Sequence, residues 1–148
     1  MSNSNYEMGP IKELVRVLNG GIEFYRSAMD KVSNPHLMHV FENNINEKAR
    51  TIAELQTFVL IDEGKIEQDS AFSVELREAY TKVLAVISAD AEHTYVSQLE
   101  EIEDKVLEKI EAALMKKLPA ECQSTLLQIQ VRMQHCHNHM KQLKLVTA

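Results

Sequence analysis

Tryptophan is absent from the 148 residues, and only four glycines, three prolines and two cysteines occur. So few turn-formers exclude an architecture of many short strands and tight turns, and point instead to long uninterrupted helices. No apolar run approaches the ~20 residues needed to span a bilayer, which argues against a membrane partner. The opening residues MSNSNYEMGP lack both a basic segment and an apolar one. They carry no secretory signal, and the expected location is the cytoplasm. With a net charge of −6 and scattered Lys and Arg, the chain offers no nucleic-acid groove. It also lacks a phosphate-cradling glycine loop, a nucleophile–base pair and a zinc-type cysteine cluster, so the balance leans away from an enzyme without deciding the matter. Cys122 and Cys136 fall on one helix at a separation of roughly 21 Å, too far for a disulfide. They read as small core residues in a reducing compartment.

The apolar spacing predicts a disordered tail over residues 1–9 and a single helical-bundle domain over 10–146. A first helix starts at Pro10 and runs to about Val32, with Ile11, Leu14, Leu18, Ile22, Tyr25, Met29 and Val32 on its inner stripe. The Gly20-Gly21 pair within it marks a bend or a close approach of a neighbouring helix. Asn34 and Pro35 cap and open a second helix that ends at about Asp62, with Gly64 as its C-terminal stop. Met38, Phe41, Ile45, Ala49, Ile52, Val59 and Leu60 are expected to face inward there, and Glu42 is its inward carboxylate. A shorter amphipathic helix is expected over Ser73–Ser88. Two further long helices follow, from about Asp90 to Leu118 and from Pro119 onward. The fold class is therefore all-α: two helical hairpins and a long crossover carrying a short extra helix, which is the ferritin-like four-helix-bundle arrangement.

Glu103 is the residue that asks for a chemical reason. Val96, Leu99, Val106, Ile110 and Leu114 surround it on an apolar stripe, and a buried acid is costly unless paired. Counted outward from the turn at Pro119, His137 on the last helix lies at about the same level. An inward Glu facing an inward His is half of the metal site of carboxylate bundles, which use one Glu from each of two helices and a Glu-x-x-His from each of the other two. The other half is missing. Gln134 stands three residues before His137, and on the first hairpin the counterparts are Asn19 or Ile22, and Arg50 with Ala53. Three readings of Glu103 and His137 remain open: a hydrogen-bonded polar pair in the core, a mononuclear iron, manganese or zinc site completed by solvent, or a register that carries Glu103 to the surface. No metal is the leading expectation. Glu100, Glu101, Asp104, Glu108 and Glu111 read as a solvated outer band. His135 and His139 are read as solvent-facing, His36 and His39 as lying at the bundle end, and His93 as lying off the apolar face.

The segments Leu18-Asn19-Gly20-Gly21-Ile22-Glu23-Phe24-Tyr25 and Ala53-Glu54-Leu55, the Glu103-Asp104 pair followed by Leu107, and His137 resemble a bacterial family of ferritin-like four-helix-bundle proteins known as a domain of unknown function. The resemblance covers roughly residues 10 to 145. Gly20 stands where relatives commonly carry an aspartate, which removes one possible acid. The resemblance implies the fold and no activity. The functional expectation is a non-enzymatic bundle that acts through self-association, as a dimer, or through a protein partner. The alternative is a metal-binding protein with a reduced site on Glu103 and His137.

Overall fold

Pro10 occupies the first turn of α1 (Gly9–Met29), where its missing N–H is no loss. The Asn34 side chain accepts a hydrogen bond from the His36 amide at 2.9 Å and so caps α2 (Pro35–Glu63). Gly64 ends α2 in the left-handed conformation, with φ of 77°, and its N–H closes on the Leu60 carbonyl. The other two helices are α3 (Ala91–Leu114) and α4 (Ala120–Thr147), separated by the short turn that contains Pro119. The structure, a computed structural model, describes residues 6–68 and 91–147. The short helix expected over Ser73–Ser88 lies outside these residues. Among the described residues there are four helices and no strand, an all-α arrangement consistent with a four-helix bundle.

Paired side chains fix the helix directions. Lys12 meets Glu63 and Asn44 meets Tyr25, so α1 and α2 are antiparallel neighbours. Glu100 with Lys144, Asp104 with His137 and His93 with Thr147 make α3 and α4 antiparallel. Glu13 with Lys109, and the Glu7 amide donating to the Lys117 carbonyl at 2.8 Å, set α1 antiparallel to α3. The α4 helix lies beside α2, joined through Arg132 and Glu54. It follows that α2 and α3 run in the same direction on one diagonal of the bundle. The chain leaves the described part at residue 68, beside the start of α1, where Arg16 holds Glu67 at 2.7 Å. It re-enters at residue 91, at the opposite end.

Between the helices lies one core. It takes Ile11, Leu14, Leu18 and Phe24 from α1, Val96, Leu99, Ile102 and Val106 from α3, and Leu126, Ile129, Met133 and Met140 from α4. Cys122 and Cys136 are buried free thiols within it. Within the stretch expected as a tail, Met8 is buried and joins this core. The α2 stripe differs from the expected one. Its buried residues are Leu37, Phe41, Asn44, Lys48, Thr51, Leu55 and Val59. Ala49 and Glu42 face solvent, and Leu60 is 49% exposed. Ile45, Ala49 and Ile52 offered a competing apolar stripe, and the polar residues at 44, 48 and 51 disguised the true one.

The left-handed backbone at Gly64 strains any residue that carries a Cβ. Gly64→Ala is expected to lower stability by about 1 kcal/mol in urea denaturation; an unchanged or raised midpoint would contradict the assignment.

Candidate functional site

Glu103 projects from α3 into the centre of the bundle and is fully buried. The side chain that reaches it is Lys48, from the diagonal helix α2, also fully buried, whose ammonium is ion-paired to Glu103 Oε2. The Tyr25 hydroxyl of α1 donates to the same oxygen at 2.5 Å. Asn44, one turn before Lys48, donates its Nδ2 to the Tyr25 oxygen at 3.1 Å. The Lys48 ammonium also stands 5.0 Å from the centroid of the Tyr25 ring, within cation–π range. Phe41 packs edge-on against that ring, at 5.7 Å between centroids. Four polar side chains from three helices thus form one network in the middle of an apolar core.

Gly21 lies alongside the Lys48 stem. A Cβ built there would lie 3.5 Å from Lys48 Cε and 3.4 Å from Ile102 Cγ2. These are ordinary van der Waals separations, so the lysine stem and α3 leave room for a methyl group here and little more. A longer side chain at 21 would push the ammonium away from Glu103.

A charge this deep is held by its partners. Transfer of either ion out of water costs several kcal/mol, and only close opposite charge with added hydrogen bonds offsets it. Burial, and then the adjacent Glu103 carboxylate, hold the Tyr25 phenol well above its ordinary value, so it stays protonated and can donate. Cys136 lies close enough to feel both Lys48 and Glu103, and burial pushes its thiol up to about 12. Burial raises Cys122 to about 11. Both cysteines are protonated and shielded at neutral pH, the state of a packing residue rather than of a nucleophile.

His137 has a different partner from the one its position in the sequence suggested. Its Nε2 lies 2.6 Å from Asp104 Oδ1, on the outer side of the α3–α4 pair, while Glu103 turns inward to Lys48 and Tyr25. Of the expected acidic band, Glu101, Asp104, Glu108 and Glu111 are exposed. Glu100 is only 16% exposed, tucked between α3 and α4 near Lys144. Glu100, Asp104 and His137 each bring a metal-ligating atom within 4.8 Å of the other two. His135 and His139 are exposed on α4. His139 lines an open groove of about 420 Å³ against α2 together with His36 and His39.

The central network ties α1, α2 and α3 together. Lys48 and Glu103 have no exposed surface, and the lysine already supplies the positive charge that a metal ion would bring to Glu103. Sequence reasoning identified Glu103 and missed Lys48, Asn44 and the polar role of Tyr25. The signal was present: Lys48 interrupts the stripe Leu37–Phe41–Leu55–Val59 as conspicuously as Glu103 interrupts its own.

Lys48→Ala leaves Glu103 as an unpaired buried charge and is expected to cost about 3–5 kcal/mol in urea denaturation. A loss below ~1 kcal/mol would show the pair to be idle. Above pH ~10 an unfolded tyrosine gives up a proton that the folded Tyr25 keeps. Tyr25's contribution to stability is therefore present below that pH and declines as the pH climbs past it. Between pH 9 and 11, wild type should lose stability more steeply than Tyr25→Phe; equal slopes would contradict the burial of the phenol.

A search of curated proteins finds no match to this chain. A family model described as Domain of unknown function (DUF2383) matches residues 8–116, well over half of the sequence. The match takes in Tyr25, Asn44, Lys48 and Glu103 and stops short of α4. The chain therefore belongs to the DUF2383 family.

Proposed function

We propose that the protein is a ferritin-like helical bundle that acts without chemistry at its centre, by associating with a second copy of itself or with a protein partner. The observation that carries this reading is the Lys48–Glu103 pair. A carboxylate-bridged metal centre needs several inward acids at one level. Among the described residues, the buried charged side chains are Lys48 and Glu103 alone, and the group facing the acid is an ammonium. That donor set does not fit a di-metal centre. The ferritin-like assignment draws support from the parallel α2 and α3, with residues 68 and 91 at opposite ends of the bundle.

Association draws support from α4. While Leu126, Ile129 and Met133 fill the core, Leu127 and Val131 stand one turn apart on the outer face at 49% and 59% exposure. An apolar pair on the outside of a helix whose inner face is already satisfied suits contact with another surface.

Light scattering coupled to size-exclusion chromatography tests the proposal. Wild type is expected to show a mass above that of the monomer at micromolar concentration. Leu127→Glu with Val131→Glu should return it to monomer with the same helical circular dichroism. A strict monomer at every concentration would remove self-association.

A further inference from the structure

We propose that Glu100, Asp104 and His137 form a binding site for a single divalent first-row transition-metal ion on the outer side of the α3–α4 hairpin. Glu100 and Asp104 are one turn apart on α3, so their carboxylates share a face. The facing α4 residue is a histidine, and one ligand atom from each lies within 4.8 Å of the others. Two carboxylates and an imidazole are a donor set that first-row divalent ions accept, and three protein ligands leave a fourth position for solvent.

An unsatisfied oxygen of Glu100 points the same way. The imidazole is 15% exposed, with Nε2 against Asp104 and Nδ1 buried without a hydrogen-bond partner. Glu100 Oε2 is likewise buried and unpartnered. Buried polar atoms without partners are uncommon and call for a reason. An ion held between the two carboxylates and Nε2 would engage the Glu100 carboxylate that carries one of them, while Nδ1 faces away from it.

The geometry needs only side-chain adjustment. Ligand atoms around a tetrahedral ion at about 2.1 Å stand roughly 3.3–3.5 Å apart. His137 Nε2 and Asp104 Oδ1 stand 2.6 Å apart, and one ligand atom from each of the three residues lies within 4.8 Å of the others, so small side-chain shifts reach that spacing. Asp104 is 51% exposed and can turn without disturbing the core. A competing cation is Lys144, whose ammonium is 3.8 Å from Glu100 Oε1 and 41% exposed, so it can swing into solvent as the ion enters. Neither Lys48 nor Glu103 takes part. The site is therefore compatible with a bundle whose centre is closed to metals, and it stands or falls apart from the association proposed above.

Isothermal titration of the untagged full chain with zinc chloride tests the site, with the visible absorption of added cobalt(II) as a second reading of ligand number. Wild type is expected to bind one equivalent in the micromolar range. Asp104→Asn and His137→Ala should each weaken binding by about tenfold or more, while His135→Ala with His139→Ala leaves it in place. Asp104 is half exposed, so its variant keeps the test decisive even if His137→Ala fails to fold. The proposal is overturned if wild type takes up no zinc in that range. It is equally overturned if binding survives Asp104→Asn and disappears with His135 and His139, which would trace it to the exposed histidine pair.

Discussion

A positive and a negative charge, both without contact with water, meet at the centre of this bundle, and much of the remaining structure can be read as what their meeting requires. Lys48 and Glu103 belong to helices on opposite corners, which make little direct backbone contact. Their side chains cross the core, and the lysine stem passes Gly21 on α1. Tyr25 adds a hydrogen bond to the carboxylate, and Asn44 one to the tyrosine. Because an unpaired charge at this depth costs several kcal/mol, any slip of α2 against α3 is penalised far more than a slip between two apolar stripes. The pair thus fixes register along a diagonal that makes little direct backbone contact.

At the ends of the bundle the same logic operates more weakly. Lys12 with Glu63, Arg16 with Glu67 and Glu13 with Lys109 tie α1 to its neighbours through partly exposed pairs. Each contributes little on its own. Gln56 holds the Glu67 backbone from both sides, at 2.6 Å and 2.9 Å, and orders the chain beyond the Gly64 stop. The outer side of α3–α4 is different again: there Glu100, Asp104 and His137 gather without a comparable set of partners. Interior and exterior have divided the charged residues, with neutralised charge inside and chemically available donors outside.

Helix positions were largely legible in the sequence because Pro10, Asn34-Pro35, Gly64 and Pro119 punctuate a chain with few other breaks. The stripes of α1 and of the last two helices were legible from their apolar spacing. That of α2 was not, because its middle third is Asn44, Lys48 and Thr51, and a hydrophobic pattern cannot register a stripe whose buried members are polar. Glu103 stood out for the same physical reason that should have exposed Lys48. A long lysine is usually read as a surface residue with an apolar stem, so the equivalent clue on α2 went unweighted. The partnership of His137 depended on a rotation of about one residue around α3, from Glu103 to Asp104. Counting levels in an antiparallel hairpin fixes height along the axis and leaves that rotation undetermined.

The central claim is that Lys48 and Glu103 are tolerated at the bundle centre because each neutralises the other. A double-mutant cycle measures this most directly, using Lys48→Met, Glu103→Leu and the two together, each followed by urea denaturation. Each single variant leaves one buried charge alone. The double variant removes both, and Asn44 Oδ1, buried without a partner, can accept the Tyr25 proton after a rotation of its amide. The account predicts that each single variant loses about 3–5 kcal/mol and that the double variant recovers to within ~1 kcal/mol of wild type. Losses that simply add would show that the two charges act independently, and would contradict it.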